Sequence, residues 1–196
     1  MRIYLIRHGE TDWNVSLRLQ GREDIPLNEC GKRQAYVCGE TMKRLKVDRI
    51  VSSPLMRAKD TAKIIGERMG IDHITIDEDI TERDFGEASG ITYQEKCKRY
   101  KDREIPGIEK KEVLRKRMIQ AVLKYRTLNR DILMVSHGGC INALIDEVAK
   151  GTFETGKTRL KNTAVSVLEI NKNSIKVIEY NLDAKDFAKK YLNSEI

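Results

Sequence analysis

No stretch of this chain is apolar for long enough to span a bilayer. Its first residues read as a strand, not as a charged region followed by a long apolar stretch, so no secretory signal is expected. Four cysteines (Cys30, Cys38, Cys97 and Cys140) are scattered without a C-x-x-C pair, which argues against a zinc site. Reduced thiols in a cytoplasm are the expectation. There is no internal repeat, no low-complexity segment and no carboxylate cluster that demands a metal. Neither a metal nor another cofactor is expected. Histidine is scarce, with only three in the chain.

Charge is plentiful. Net charge is +7, which suits nucleic acid, an anionic membrane surface or a small anionic substrate. Lys and Arg are spread along the whole chain, and no basic motif is interleaved with aromatics, so neither nucleic acid nor membrane is an expected partner. The 196 residues, 40% of them hydrophobic, are enough for one domain with a buried core.

Hydrophobic periodicity divides the chain into alternating elements. Residues 3–6, 49–53, 74–76 and 131–136 read as strands, and 164–170 with 175–180 as an antiparallel pair. Asn28 caps a helix with a stripe through Ala35, Cys38 and Met42. Ser53 and Pro54 read as a cap and first helical position, followed by a stripe through Ala58, Ala62 and Ile65. Residues 77–91 read as a polar loop. Helices are expected near 92–103, 109–129, from Gly138 onward, and around Ala184–Tyr191. This alternation predicts an α/β fold: a doubly wound, mostly parallel sheet with helices on both faces. Residues 92–117 interrupt the alternation and are expected as a small helical cap within a single domain, 1–196.

In such sheets ligands gather at the carboxyl ends of the strands. His8 follows the first strand, Arg57 lies just after the second, and His137 follows "LMVS". One histidine at a strand end is ordinarily a hydrogen-bonded turn residue; two, with Arg7 and Arg57, converge by topology. Gly9 and Gly138–Gly139 leave room for a ligand or a backbone beside the histidines. Arg7 and Arg57 offer planar donor forks that match phosphate oxygens, and a helix N-terminus at Pro54 would add backbone donors. A tetrahedral anion suits this set.

Six blocks, in order, resemble the histidine phosphatase superfamily, which includes phosphoglycerate mutases, fructose-2,6-bisphosphatases and α-ribazole phosphatases. They are "LIRHGET", "LQGREDIPLNECGKRQA", "SSPLMRAKDTA", "ITERDFGEASG", "SHGG" and "KNTAVSVLEI". The resemblance implies that His8 accepts a phosphoryl group, that Arg7, Arg57 and His137 surround it, that Glu82 gives a proton to the leaving oxygen, and that Asn14 is a further phosphate contact. It implies a metal-independent phosphatase acting on a small phosphorylated metabolite. Two departures, Ala88–Ser89 after Phe85–Gly86 and "PGIE" at 106–109, fall where substrate is selected. Within the basic stretch 96–117, whose charges mostly read as solvated helix faces, Arg99 and Lys101 are the residues singled out for a second anionic group. Two other readings stay open: a phosphoglycerate mutase of the same fold, against which the short span 91–135 counts, and a catalytically silent binding module, against which the full residue set counts.

Overall fold

A computed structural model describes residues 1–153, 159–172 and 174–192. The elements run β1 (Arg2–Arg7), α1 (Asp12–Val15), α2 (Glu29–Met42), β2 (Ile50–Ser52), α3 (Met56–Met69), β3 (Ile74–Ile76), α4 (Tyr93–Arg99), α5 (Lys111–Lys124), β4 (Ile132–Ser136), α6 (Gly138–Ala149), β5 (Val165–Ile170), β6 (Ile175–Leu182) and α7 (Ala184–Tyr191). The six strands form one sheet in the order β3-β2-β4-β1-β5-β6. The pairs β3–β2, β2–β4 and β4–β1 are parallel, whereas β1–β5 and β5–β6 are antiparallel. The doubly wound, mostly parallel α/β sheet expected from the sequence is the observed fold.

The central strands are apolar throughout because both faces are covered. Along β1, Ile3 and Leu5 face one core and Tyr4 and Ile6 the other; along β4, Ile132 and Met134 alternate with Leu133 and Val135 in the same way. Leu114 and Met118 of α5 and Ile141 and Leu144 of α6 fill the first core. Cys38 and Met42 of α2, Ala62 and Ile65 of α3, and Phe187 of α7 fill the second. No helix of the described residues is long and apolar enough to cross a membrane.

Three expectations change. First, α3 begins at Met56, with Leu55 rather than Ser53 at the cap position. Ser53 instead binds His137 and the Leu55 N–H, while Asp24, from a remote loop, accepts the Met56 N–H. Second, the stretch 77–91 is not plain loop: Glu78–Ile80 and Gly86–Ala88 form short 3-10 turns. Third, the stretch 92–117 is two things. Tyr93–Arg99 is a surface helix with no buried residue, held by a Thr92–Glu95 capping box, whereas 111–117 opens the core helix α5.

Candidate active site

Two adjacent strands deliver the two histidines to one place. β1 and β4 pair in register, with Arg7 opposite Ser136, and the next residue on each is a histidine. The His8 N–H donates to the Ser136 carbonyl at 2.9 Å, and the imidazole centroids lie 5.2 Å apart. From β1 the chain passes to α2 over one core, and from β4 to α6 over the other. The two connections part there, leaving a crevice at the strand ends.

His8 is 2% exposed. Its Nδ1 bonds the Gly9 carbonyl at 2.7 Å. A carbonyl can only accept, so Nδ1 carries the hydrogen and Nε2 is bare. Burial, reinforced by the Arg7 and Arg57 charges, pushes the His8 imidazole well below its ordinary range. Burial and then Arg57, His8 and Arg7 do the same to His137. Both rings are neutral near pH 7.

The cations are deeply set. Arg57, in the first turn of α3, is fully buried, and its Nη1 and Nη2 donate to the Glu23 and Gly21 carbonyls at 2.6 and 2.8 Å. Arg7 donates through Nη1 to the Leu160 carbonyl. Burial, then the Arg159 charge, lowers Arg7 to about 10, which leaves it protonated at neutral pH. Six buried side-chain nitrogen or oxygen atoms lack a partner among the described residues, and four sit in this group: Arg7 Nε, Arg57 Nε, His137 Nδ1 and Gln20 Oε1. Buried polar atoms are nearly always paired, so this concentration marks a place where a ligand supplies the partners.

Glu82 is 7% exposed, deeper than a loop position implies. Its carboxylate accepts the N–H groups of Arg83 (2.8 Å), Gly139 (3.1 Å) and Cys140 (3.2 Å), across the first turn of α6. Gly139 leaves the carboxylate its place, because a Cβ there would stand 2.6 Å from Glu82 Oε1 and push it aside. Gly9 serves a backbone and not a ligand: a Cβ would stand 2.5 Å from the Gly31 carbonyl oxygen at the start of α2. The helix N-terminus expected at Pro54 does not supply its first donor either, since Asp24 takes the Met56 N–H.

Asn14 is buried, and its Oδ1 accepts from the Thr11 N–H and from Asn162 Nδ2, both at 3.1 Å. Asn162 also donates to the His8 carbonyl at 2.9 Å, so one side chain ties both loops. Asn162, Arg159 and Gln20 were not singled out in the sequence. Asn162 and Gln20 fall within the blocks "KNTAVSVLEI" and "LQGREDIPLNECGKRQA", whereas Arg159 carries no local signal beyond its residue type.

Arg7, His8, Asn14, Gln20, Arg57, Glu82 and Arg159 line a cleft of about 710 Å³ whose wall also includes Trp13, Leu17, Phe85, Tyr93 and Leu160. His137 lies behind it, fully buried. Arg99 and Lys101 do not line the cleft; Arg99 faces Glu87 at 3.9 Å, and the cations nearer the opening are Arg18 and Arg159. Among the described residues, no three His, Cys, Asp or Glu side chains converge as a metal site. The arrangement can hold a compact anion against a bare imidazole nitrogen with a carboxyl group alongside.

Comparison with known proteins agrees with this geometry. An "Uncharacterized phosphatase PhoE" of Bacillus subtilis (strain 168) is 41% identical over 184 residues, 93% of this chain and 95% of the relative. A "Probable phosphoglycerate mutase GpmB" of Salmonella choleraesuis (strain SC-B67) is 33% identical over 183 residues, 86% and 85% of the two chains. The solved structure of a mycobacterial glucosyl-3-phosphoglycerate phosphatase complexed with VO3 superposes with a TM-score of 0.80 at 26% identity, covering 93% of this chain and 99% of that one. The histidine phosphatase superfamily (branch 1) model matches residues 3–183, and the chain belongs to that superfamily.

Proposed function

We propose that the protein hydrolyses small phosphomonoesters without a metal ion, by way of a phosphoryl group carried on His8. The observation that carries the reading is the set of unpaired buried nitrogens on Arg7, Arg57 and His137 beside His8, whose Nε2 is bare. The phosphoryl oxygens supply the missing acceptors, and the two guanidinium groups offset charge that would otherwise repel a nucleophile. A neutral imidazole is a competent nucleophile at pH 7, and the Gly9 carbonyl holds its ring in one orientation.

The reaction then runs in two displacements. His8 Nε2 bonds to phosphorus as the bond to the ester oxygen breaks, and Glu82 passes a proton to that departing oxygen. Water next attacks phosphorus, gives a proton back to the Glu82 carboxylate, and the P–N bond breaks. Phosphate leaves and His8 is again neutral. Arg7, Arg57 and His137 hold the transferring group through both steps, with Asn14 as a further contact.

The named relatives include phosphatases and a mutase, so isomerisation of a phosphoglycerate is the second reading. A mutase must keep water from the phosphohistidine while an intermediate turns over. Here the only α-helix between Glu82 and α5 is the exposed seven-residue α4, which supports hydrolysis.

Brief incubation with a phosphorus-labelled ester should leave alkali-stable, acid-labile label on the wild type and none on His8→Ala. Label that persists in the variant, or that maps to His137, overturns the assignment.

A further inference from the structure

Ser53 and His137 are both fully buried, on the connections that leave β2 and β4. Ser53 is itself fixed, its N–H donating to the Val135 carbonyl at 3.1 Å. Its Oγ lies 2.7 Å from His137 Nε2, and the same oxygen accepts the Leu55 N–H at 3.3 Å. A hydroxyl has one hydrogen and two lone pairs. One lone pair is taken by Leu55, and among the described residues Nε2 is the one acceptor that bonds this hydroxyl. Were Nε2 to carry a hydrogen, the hydroxyl hydrogen would have to turn into the interior unpaired, which buried polar groups avoid.

We propose that Ser53 donates its hydroxyl hydrogen to Nε2 and so fixes neutral His137 as the Nδ1–H tautomer. The consequence lies at the other nitrogen. His137 Nδ1 is buried and has no partner. With a hydrogen it is a donor held ready for an anion; without one it is a lone pair that repels an anion. The same tautomer serves opposite ends at the two histidines. At His8 the Gly9 carbonyl takes the Nδ1 hydrogen and leaves a bare Nε2. At His137 the Ser53 hydroxyl occupies Nε2 and leaves an unpaired Nδ1–H. Ser53 is thus a positioning residue, acting through His137. Its service to a phosphoryl oxygen rests on the phosphatase reading above; the tautomer does not.

The chain has three histidines, so long-range ¹H–¹⁵N correlation of their side chains is assignable by replacing each in turn. In the free wild type at pH 7.5, roughly one unit above the ordinary imidazole pKa, His137 should show one protonated nitrogen, Nδ1. Finding the hydrogen on Nε2, or on both nitrogens, overturns the proposal without any variant. In Ser53→Ala the Nδ1–H pattern should give way to Nε2–H or to an average of the two, and Ser53→Thr, which keeps the hydroxyl, should restore it. An unchanged pattern in Ser53→Ala also overturns the proposal. Inorganic phosphate should shift the Nδ1–H signal in the wild type and bind Ser53→Ala about tenfold more weakly, as expected for a lost hydrogen bond to a charged group. kcat/KM should fall by the same factor for aryl and alkyl phosphates, because the transferring group is common to both. Should His8→Ala retain turnover, the phosphohistidine route fails, and should the wild type release no phosphate from any ester, the phosphatase reading fails; in either case the tautomer result stands.

Discussion

Arg117 holds the backbone that carries Glu82. Its Nη2 donates to the Glu82 carbonyl at 3.3 Å, and its Nη1 to the carbonyls of Asp79 and Thr81 at 2.7 and 2.6 Å. Nε and Nη2 also grip the Glu109 carboxylate, at 2.7 and 2.9 Å. Burial opposes both charges, yet their mutual bonds outweigh it, holding Arg117 above and Glu109 below the ordinary range.

Loosening this clamp should misplace the proton donor. Arg117→Met leaves Glu109 buried without its partner, at a cost of about 3–5 kcal/mol of stability. Among molecules that still fold at low temperature, turnover of alkyl phosphates should fall more than that of p-nitrophenyl phosphate. The same selective loss should not be added again in Glu82→Gln/Arg117→Met, because both act on one group. Additive selective losses in the double variant would show that Arg117 acts elsewhere.

Glu82→Gln keeps the size of the side chain but removes the transferable proton. General-acid help is worth ~10²–10⁴-fold and matters most for a basic leaving group. Alkyl phosphates should therefore slow by that order, and p-nitrophenyl phosphate, whose phenolate leaves unaided, far less. Equal losses on both substrates would make Glu82 a structural ligand of the α6 backbone alone.

Stability should fall on mild acidification. His8 and His137 are held well below their ordinary range by burial and the arginine charges. The unfolded chain therefore takes up protons below pH ~6.5 that the folded chain refuses. The contribution is complete above that pH and is lost as pH falls, by at most about 1.4 kcal/mol per pH unit for each histidine. Urea unfolding between pH 7.5 and 5 should show this slope, and His137→Gln should reduce it. A slope unchanged in the variant would mean that His137 titrates normally in the folded protein.

Hydrolysis should outrun isomerisation. With 3-phosphoglycerate, free phosphate should form faster than 2-phosphoglycerate, even with 2,3-bisphosphoglycerate present, because α4 is short and buries none of its residues. Dominant 2-phosphoglycerate would favour the mutase reading.

Gly9→Ala should be among the most damaging single-methyl additions. The new Cβ would stand 2.5 Å from a backbone oxygen at Gly31, and neither segment can yield without moving α2 or β1. Overpacking of this kind costs about 1–3 kcal/mol or more. Gly70→Ala, with open space but a φ of +70°, tests backbone strain alone. A Gly9→Ala protein as stable as Gly70→Ala would show that the 8–10 turn can relax.

Much of this was legible beforehand. The alternation of β1, β4 and the helix stripes reports which faces are buried, and burial is what periodicity measures. The parallel order and the convergence of His8, Arg57 and His137 follow from connection rules for α/β sheets. Boundaries were less legible where a side chain found a distant partner. Ser53–Pro54 looks like a helix start, but Ser53 spends its hydroxyl on His137, 84 positions away, and Asp24 takes the cap duty at Met56, 32 positions away.

The sequence by itself determined the fold class, the family and the identities of the groups at the strand ends, because each is written in local pattern or in contiguous motif. Only the tertiary structure decided which atom each group presents. That Nε2 of His8 is bare, that Nδ1 of His137 is unpaired, that Glu82 lies across the first turn of α6 under the hold of Arg117, and that Asn162 ties His8 to Asn14 all depend on hydrogen bonds. Most of these join residues tens of positions apart. Such bonds are set by strand register and loop path, which no local spacing encodes.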